Sequence, residues 1–187
     1  PALDVQFDGR LALLSSSIQP ARVQPGETAT LTLYWQALQP LTEDLTVFVQ
    51  LAPRDPEQRV AGTDEYLGST RYPTSAWQVD KVIKQTHQVR LPDDVQTPTL
   101  YWFAVGLYDE PGSEPWPVTA NGSALPNRVI RLGPLWALTP ATALAAPQQT
   151  LDPPYRLGTA IRITGYDLNP GSDTLTVTLH WQAEDTP

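Results

Sequence analysis

Apolar and polar residues alternate strictly along several short stretches of this chain, a pattern typical of half-buried β-strands. Between residues 30 and 37, Leu31, Leu33 and Trp35 share one face, while threonine, tyrosine and glutamine occupy the other. Residues 45–51 repeat the pattern, with leucine or valine at every second position. Turns rich in proline separate these stretches, so the sequence predicts an antiparallel β-sandwich with very little helix.

Further segments with strand character lie between turn signals such as Pro-Gly at residues 25–26 and Pro-Asp-Asp at residues 92–94. They are residues 10–18, 77–91, 99–108, 115–119 and 127–132. We expect an all-β, immunoglobulin-like or fibronectin-like antiparallel sandwich of about seven to nine strands, with a jelly roll as the rival topology. The predicted core comprises the apolar residues in the inward phase, namely Leu11, Leu13, Leu31, Leu33, Trp35, Val47, Val49, Leu51, Leu100 and Trp102.

Composition excludes several classes of protein. The 187 residues include 12 basic and 20 acidic ones, and the resulting formal charge of −8 disfavours a nucleic-acid binder. No apolar run approaches the roughly 20 residues that span a bilayer, so we expect no membrane insertion by this segment. The absence of cysteine excludes disulfides and thiolate ligands and suits an exported chain. Because methionine is also absent and the chain begins at Pro1, we expect a processed or excised fragment.

The chain contains an internal repeat. Residues 175–183 (Leu-Thr-Val-Thr-Leu-His-Trp-Gln-Ala) align with residues 29–37 (Ala-Thr-Leu-Thr-Leu-Tyr-Trp-Gln-Ala), in the same strand phase. We therefore predict a complete β-sandwich repeat over residues 1–135 and an Ala/Pro-rich linker or strap over residues 136–154. The first two strands of a second, truncated repeat would occupy residues 155–187.

Two strands cannot bury a core alone, so the second repeat needs a partner. Residues 158–183 are expected to pack on their own first unit, to pair with a neighbouring repeat or subunit, or to belong to a longer tandem array. We favour the array.

Five motifs follow one another along the chain, beginning with Gln-Pro-Gly-Glu-Thr at residues 24–28 and ending with Val-Gly-Leu-Tyr-Asp at residues 105–109. Residues 31–37, 45–51 and 72–77 supply the motifs between them. Together they resemble an uncharacterised repeat found near the C-termini of large bacterial membrane proteins. Many of those proteins resemble the dolichyl-phosphate-mannose-type glycosyltransferases in their membrane-embedded part.

The resemblance covers most of residues 10–132 and, again, residues 155–183. It implies an extracytoplasmic β-sandwich, at the cell surface or secreted, that is tethered through a membrane part outside this sequence. It transfers no catalytic residue, because glycosyl transfer would reside in that membrane part.

Six tryptophans raise the hypothesis of a sugar-binding surface, since aromatic ring faces stack on the C–H faces of sugars. The strand phase of Trp35 and Trp181 predicts that both lie in the core. Trp102 lies in a segment that is apolar on both faces, which also predicts burial. Trp136, at the start of the predicted strap, could anchor that strap by packing.

Tyr72, Trp77 and Trp116 lie at loop or strand margins and are the predicted ligand-binding residues. Clustering of the three on one exposed face would favour carbohydrate binding, whereas burial would favour a structural role in pinning loops. The possible ligand is a cell-surface polysaccharide.

No catalytic constellation is present in the sequence. The adjacent carboxylates are interpreted as a solvated acidic surface, because no Asp-x-Asp-x-Asp run marks a calcium loop. They are Glu43 with Asp44, Asp64 with Glu65, Asp93 with Asp94 and Asp109 with Glu110. The two histidines, His87 and His180, form neither a triad nor a metal site. We therefore predict no enzymatic activity, no metal and no cofactor.

Three functions follow from these observations. The leading hypothesis is a non-catalytic structural or interaction module of a bacterial cell-envelope protein, one unit of a tandem array. The second is a carbohydrate-binding accessory module of a membrane glycosyltransferase. The third is a strand-exchanging subunit of a surface filament, in which residues 158–183 complete the sheet of a neighbouring subunit.

Overall fold

A computed structural model of the chain describes residues 2–138, 146–158 and 160–183. The chain forms two compact units that divide between Pro140 and Ala141. Within the described ranges both units are built from β-strands, with one 3-10 turn at Thr74–Ala76 and no α-helix. The predicted all-β class is confirmed.

Strands β1 to β13 belong to the first unit and β14 to β16 to the second. In the first unit they are β1 (Ala2–Phe7), β2 (Leu11–Gln19), β3 (Arg22–Val23), β4 (Thr28–Ala37), β5 (Thr46–Ala52), β6 (Ala61–Tyr66), β7 (Gly68–Ser69), β8 (Tyr72–Pro73), β9 (Val82–Arg90), β10 (Thr99–Tyr108), β11 (Val118–Ala120), β12 (Ser123–Leu125) and β13 (Ile130–Ala137). In the second unit they are β14 (Gln149–Leu157), β15 (Ile161–Pro170) and β16 (Leu175–Ala183).

Two sheets enclose the core of the first unit. One has the strand order β12-β11-β1-β2-β4-β9, and the other has the order β3-β13-β10-β5-β6. The central strands, β2-β4-β9 facing β13-β10-β5-β6, have the order of an immunoglobulin-like sandwich rather than that of a jelly roll. Strand β1 and the β11–β12 hairpin widen the first sheet, and β3 runs parallel to β13 at the edge of the second.

Alternation along the strands places the core as expected. In β4 every second residue is buried, and Trp35 packs against Phe7 with ring centroids 5.4 Å apart. The confirmed core predictions, all 0% exposed, are Leu11, Leu13, Leu31, Leu33, Trp35, Val47, Val49 and Leu51.

Strand β10 has the opposite phase to the one predicted. Its inward face is formed by Tyr101, Phe103 and the residues that alternate with them, whereas Leu100 and Trp102 are half-buried on the outer face. Residues 100–105 are apolar at every position, so alternation could not assign the two faces. The prediction that Leu100 and Trp102 are core residues was wrong.

The second unit is a three-stranded antiparallel sheet of order β14-β15-β16. The sequence predicted β15 and β16 but not β14. The predicted strap is also shorter than expected, because β13 extends to Ala137 and β14 begins at Gln149. The remainder of that strap includes residues 139–145, which lie outside the described residues.

Candidate functional site

Trp77 is buried in the core of the first unit. Its side chain is 5% exposed, and its Nε1 donates a hydrogen bond to the backbone oxygen of Tyr72 at 3.2 Å. Gly68 in β7 has a φ of +90°, and a Cβ added there would lie 3.0 Å from Trp77 Nε1. Tyr72, in β8, is half-buried beside this contact. The indole therefore holds the β7–β8 hairpin against the sandwich.

Trp116 is also buried, and a cation covers one face of its ring. Its residue is 6% exposed, and the Arg10 Cζ lies 4.0 Å from the ring centroid. The same guanidinium forms ion pairs of 2.9 Å with Asp8 and with Glu43. The Arg10 hydrogen bond lowers the pKa of Glu43 to about 2 against the opposing effect of burial.

Tyr72, Trp77 and Trp116 thus do not form one exposed aromatic face, the arrangement that their predicted role in ligand binding requires. The two tryptophans are held in separate contacts that fasten loops to the core. Burial favours a structural role for Trp77 and Trp116, while Tyr72 is half-buried.

At least one carboxylate of each acidic pair is engaged by another side chain, Glu43 by Arg10 among them. Asp64 accepts a hydrogen bond from the Tyr108 hydroxyl at 3.2 Å, and Asp93 pairs with Arg90 at 3.0 Å. Asp109 accepts from the Ser113 hydroxyl at 2.9 Å, which lowers the pKa of Asp109. In the described ranges no three side chains of histidine, aspartate or glutamate come together as metal ligands would.

His87 is a buried imidazole in edge strand β9. It is 0% exposed, and its Nδ1 lies 3.2 Å from Glu65 Oε2 in β6. Among the described residues neither ring nitrogen has a hydrogen-bond partner of good geometry. Burial lowers the pKa of His87, although the nearby Glu65 opposes that effect. The folded protein therefore contains a neutral His87 near pH 7.

We expect the first unit to lose stability as the pH falls from 7 to 5. A lowered pKa means that the unfolded chain binds a proton at His87 more readily, so the stabilisation is present above about pH 6.5 and is lost as the pH falls through the folded pKa. Titration of one proton gives the free energy of unfolding a slope against pH of at most about 1.4 kcal/mol per pH unit. Urea unfolding at several pH values measures it, and His87→Leu should remove most of the slope. An unchanged slope in that variant would assign the pH dependence to other groups.

The outer face of the β13-β10-β5-β6 sheet carries a row of small and polar residues. Cross-strand pairing places Arg131, Ala104, Gln50 and Gly62 side by side across the four strands. Ala104, which is 8% exposed, and Gly62 have little or no side chain, whereas Arg131 and Gln50 have long ones. We call this row and the aromatic residues on both sides of it the outer-face groove.

One side of the outer-face groove is formed by two tryptophans. Trp102 lies two residues from Ala104 along β10, and the Arg131 Cζ is 5.1 Å from its ring centroid. Gly133, at φ +144°, leaves space for this indole, since a Cβ there would lie 3.2 Å from Trp102 Cδ1. Trp136, opposite Leu100 on the same face, is 43% exposed.

The other side of the outer-face groove is formed by Tyr108, which is half-buried and stacks on Phe48, itself only 7% exposed. Their rings are stacked with centroids 6.2 Å apart and an interplanar angle of 20°. Phe48 lies over Gly106, where an added Cβ would overlap its ring. The sequence did not reveal this surface, because Trp102 lies in a segment that is apolar on both faces and was therefore expected in the core.

The second unit exposes a set of apolar side chains on one face of β16. They lie at alternate positions and are between 51% and 62% exposed, namely Leu175, Val177, Leu179 and Trp181. The prediction that Trp181 is a core residue is wrong for this structure. We call these four side chains the β16 apolar face.

Comparisons with known proteins do not assign the chain to a family. No protein-family model and no curated protein sequence matches the chain. Among solved structures, the alkylpurine DNA glycosylase AlkC of Pseudomonas fluorescens, bound to DNA containing an abasic site analogue, is similar with 15% identity and a TM-score of 0.28. The match covers 70% of this chain and 30% of that one, and a likeness this weak carries no argument about function.

Across the described ranges, no helix has the length and apolar character that would be needed to traverse a bilayer.

Proposed function

We propose that this protein is a non-catalytic structural module, one unit of a tandem array of β-sandwich repeats in a bacterial cell-envelope protein. The observation that carries the proposal is the repeated strand register of the two units. In unit 1, Leu13 pairs with Trp35, and in unit 2, Ile163 pairs with Trp181.

The irregularities of the two sheets repeat as well. The register of β2 with β4 shifts between Leu13 and Ser15, and that of β15 with β16 shifts between Ile163 and Gly165. A conserved register and a bulge at the same place are what a duplicated unit would retain, because a slip by one residue would turn every side chain to the other face.

Strand β14 extends the correspondence to a third strand. Leu157 pairs with Ile161 as Phe7 pairs with Leu11 in β1 and β2. Unit 2 thus has the counterparts of β1, β2 and β4 in order. The sequence had indicated only the last two.

The β16 apolar face is the surface on which unit 2 would need a facing sheet. The counterparts of Leu175, Val177, Leu179 and Trp181 in unit 1 are at most 1% exposed, namely Ala29, Leu31, Leu33 and Trp35. In unit 1 the facing sheet contributes Val49 and Phe103 to the same core. A sheet of that type from a neighbouring repeat or subunit would bury the β16 apolar face and offset the cost of exposing it to water.

Three further observations support a non-catalytic, extracytoplasmic role. At least one carboxylate of each acidic pair is engaged by another side chain, the chain contains no cysteine, and the motifs resemble repeats appended to bacterial membrane proteins. The parent protein would supply the tether and any glycosyl-transfer chemistry.

The proposal predicts that a second copy of residues 38–138, appended after Ala183, will fold onto unit 2. The copy begins at residue 38 because Ala183 has the register position of Ala37. We expect a blue shift of Trp181 fluorescence, loss of binding of a hydrophobic dye, and additional cooperative unfolding by urea. These changes report burial of the β16 apolar face.

The matched control carries aspartate at the positions of Val49 and Phe103 in the appended copy only. It should leave Trp181 exposed. Failure of both extended chains to bury Trp181 would overturn the tandem-array proposal. A concentration-dependent dimer of the original chain that Trp181→Asp abolishes would favour the strand-exchanging subunit instead.

A further inference from the structure

We propose that the edge of β16 that faces away from β15 is a docking site for an antiparallel strand with the sequence of β9, supplied by a neighbouring repeat. The inference rests on the proposed tandem array and deepens it, because it names the segment of the partner, its direction and its register.

Strand β16 ends its sheet with unpaired backbone. It pairs with β15 on one side, and within the described part of unit 2 no strand pairs with its other side. The N–H and C=O groups along that side form a template for pairing with another chain. Proline and lysine on an edge strand prevent such pairing. The nine residues of β16 include no proline, lysine, arginine, aspartate or glutamate.

The edge strands of unit 1 differ from β16, because each is short, charged or joined to the opposite sheet. Strands β3 and β12 have two and three residues, and β6 contains two adjacent carboxylates. Strand β9 is joined to the end of β6 by Gln85. Its side-chain amide accepts a hydrogen bond from Gly68 N at 2.9 Å and donates one to Tyr66 O at 3.1 Å.

The other edge of unit 2 is protected as well. Strand β14 contains Pro153 and Pro154, neither of which can donate a backbone hydrogen bond to an added strand. Among the edge strands of the described residues, β16 is therefore the long one that lacks such protection. An edge of this kind is expected where a partner strand normally covers it.

The internal repeat identifies the strand that fits this edge. The counterpart of β16 in unit 1 is β4, which pairs on the corresponding side with β9 over nine residue pairs. In that register Trp35 lies opposite Ile83, and Thr32 lies opposite Thr86. The same register on β16 would place Ile83 of the partner opposite Trp181 and its Thr86 opposite Thr178.

The side chains of β9 suit both faces of β16. Val89, which is buried in unit 1, would lie beside Leu175 and extend the β16 apolar face. On the polar face Thr86 would lie beside Thr178, and pairs of both kinds stabilise antiparallel sheets.

Charge favours the same partner. Residues 141–187 contain five acidic and two basic residues, a formal charge of −3. Strand β9 contains Lys84 and Arg90 and no acidic residue, a formal charge of +2. Opposite charges speed the encounter of two partners and favour the correct one.

Disulfide capture tests the proposal, since the natural chain contains no cysteine. A synthetic peptide of residues 81–91 with Thr86→Cys is mixed with the full chain carrying Thr178→Cys in a glutathione redox buffer. Mass spectrometry measures the yield of mixed disulfide. Directly opposite residues of antiparallel strands have Cα atoms about 4.5–5.5 Å apart, a separation that a disulfide bridges. We expect this variant to capture the peptide about tenfold or more above two control variants, because docking raises the local thiol concentration.

The controls test the register and the edge separately. Thr176→Cys shifts the thiol by two residues along the same face, where the Cα separation from position 86 of the peptide is about 7–8 Å, too long for a disulfide. Ser123→Cys exposes a thiol on β12, an edge strand of three residues. Equal capture by Thr178→Cys and Ser123→Cys would overturn docking at β16, and equal capture at residues 176 and 178 would overturn the register.

The extended chain that carries a second copy of residues 38–138 separates this inference from the tandem array. Burial of Trp181 in that chain, without preferential capture of the peptide at residue 178, would retain the array and overturn the docking of a free β9 strand. Preferential capture without burial of Trp181 would support strand docking and count against the array. Circular dichroism of each cysteine variant checks that the chain is folded.

Discussion

Replacing Trp35 by alanine should lower the free energy of unfolding of unit 1 by about 3–5 kcal/mol, the range for removing a fully buried large aromatic side chain. Trp35 is 0% exposed, packs against Phe7 and lies opposite Leu13 in the adjacent strand. Its removal takes away apolar contact area and leaves a cavity between the sheets that the neighbouring side chains fill only in part. Urea unfolding followed by far-ultraviolet circular dichroism measures the loss.

The same substitution at Trp181 provides the comparison. The two tryptophans have the same register position in the repeat, yet Trp181 is 62% exposed. Trp181→Ala should change the free energy of unfolding by less than about 0.5 kcal/mol, as is usual for surface substitutions. Equal losses at the two positions would contradict the structure, because they would mean that the β16 apolar face is already buried in the isolated chain.

Alternation predicted the strands that lie half in the core and half in solvent. Leu31 to Trp35 in β4 alternate with polar residues, so each side chain had one possible face. In β10 the residues on both faces are apolar, and the choice between them depends on the facing sheet. Sequence located β10 at its observed bounds but could not give its phase.

The repeat predicted the pairing of β15 with β16, because its residues alternate in both units. Strand β14 escaped detection since it contains Pro153 and Pro154, which are uncommon inside strands. Its counterpart β1 does alternate, from Leu3 to Phe7, but it was not among the predicted strands. Pairing with an adjacent strand, a property of the folded sheet, determines β14.

The candidate site depended on tertiary contacts that sequence does not show. Trp77 and Trp136 both stood at the margins of predicted strands, yet one is buried and the other is 43% exposed. The difference comes from the β7–β8 hairpin, which covers Trp77, whereas Trp136 lies on the outer face of β13. Position along the chain gave no signal for this difference.

Substitution of Thr74 is the second change for which we expect a large loss of stability, although the sequence analysis assigned this residue no role. The residue is 0% exposed, and its hydroxyl links two backbone groups of the segment before β5. Thr74 Oγ1 accepts a hydrogen bond from Leu45 N at 2.8 Å and donates one to Glu43 O at 2.6 Å. Thr74→Val keeps the shape of the side chain but leaves both backbone groups without this partner. We expect it to lower the free energy of unfolding by about 2–4 kcal/mol.

Thr74→Ser separates hydrogen bonding from packing. Serine keeps the hydroxyl and loses one buried methyl group, which costs about 1 kcal/mol. Valine is the more apolar of the two, so a purely hydrophobic account of this site would rank it as the milder change. Urea unfolding of the two variants should give the opposite order, with valine the more damaging. If valine proved equal to serine or milder, the hydroxyl bridge would not be what holds the segment before β5. The attachment of that segment would then depend on the ion pair of Glu43 with Arg10.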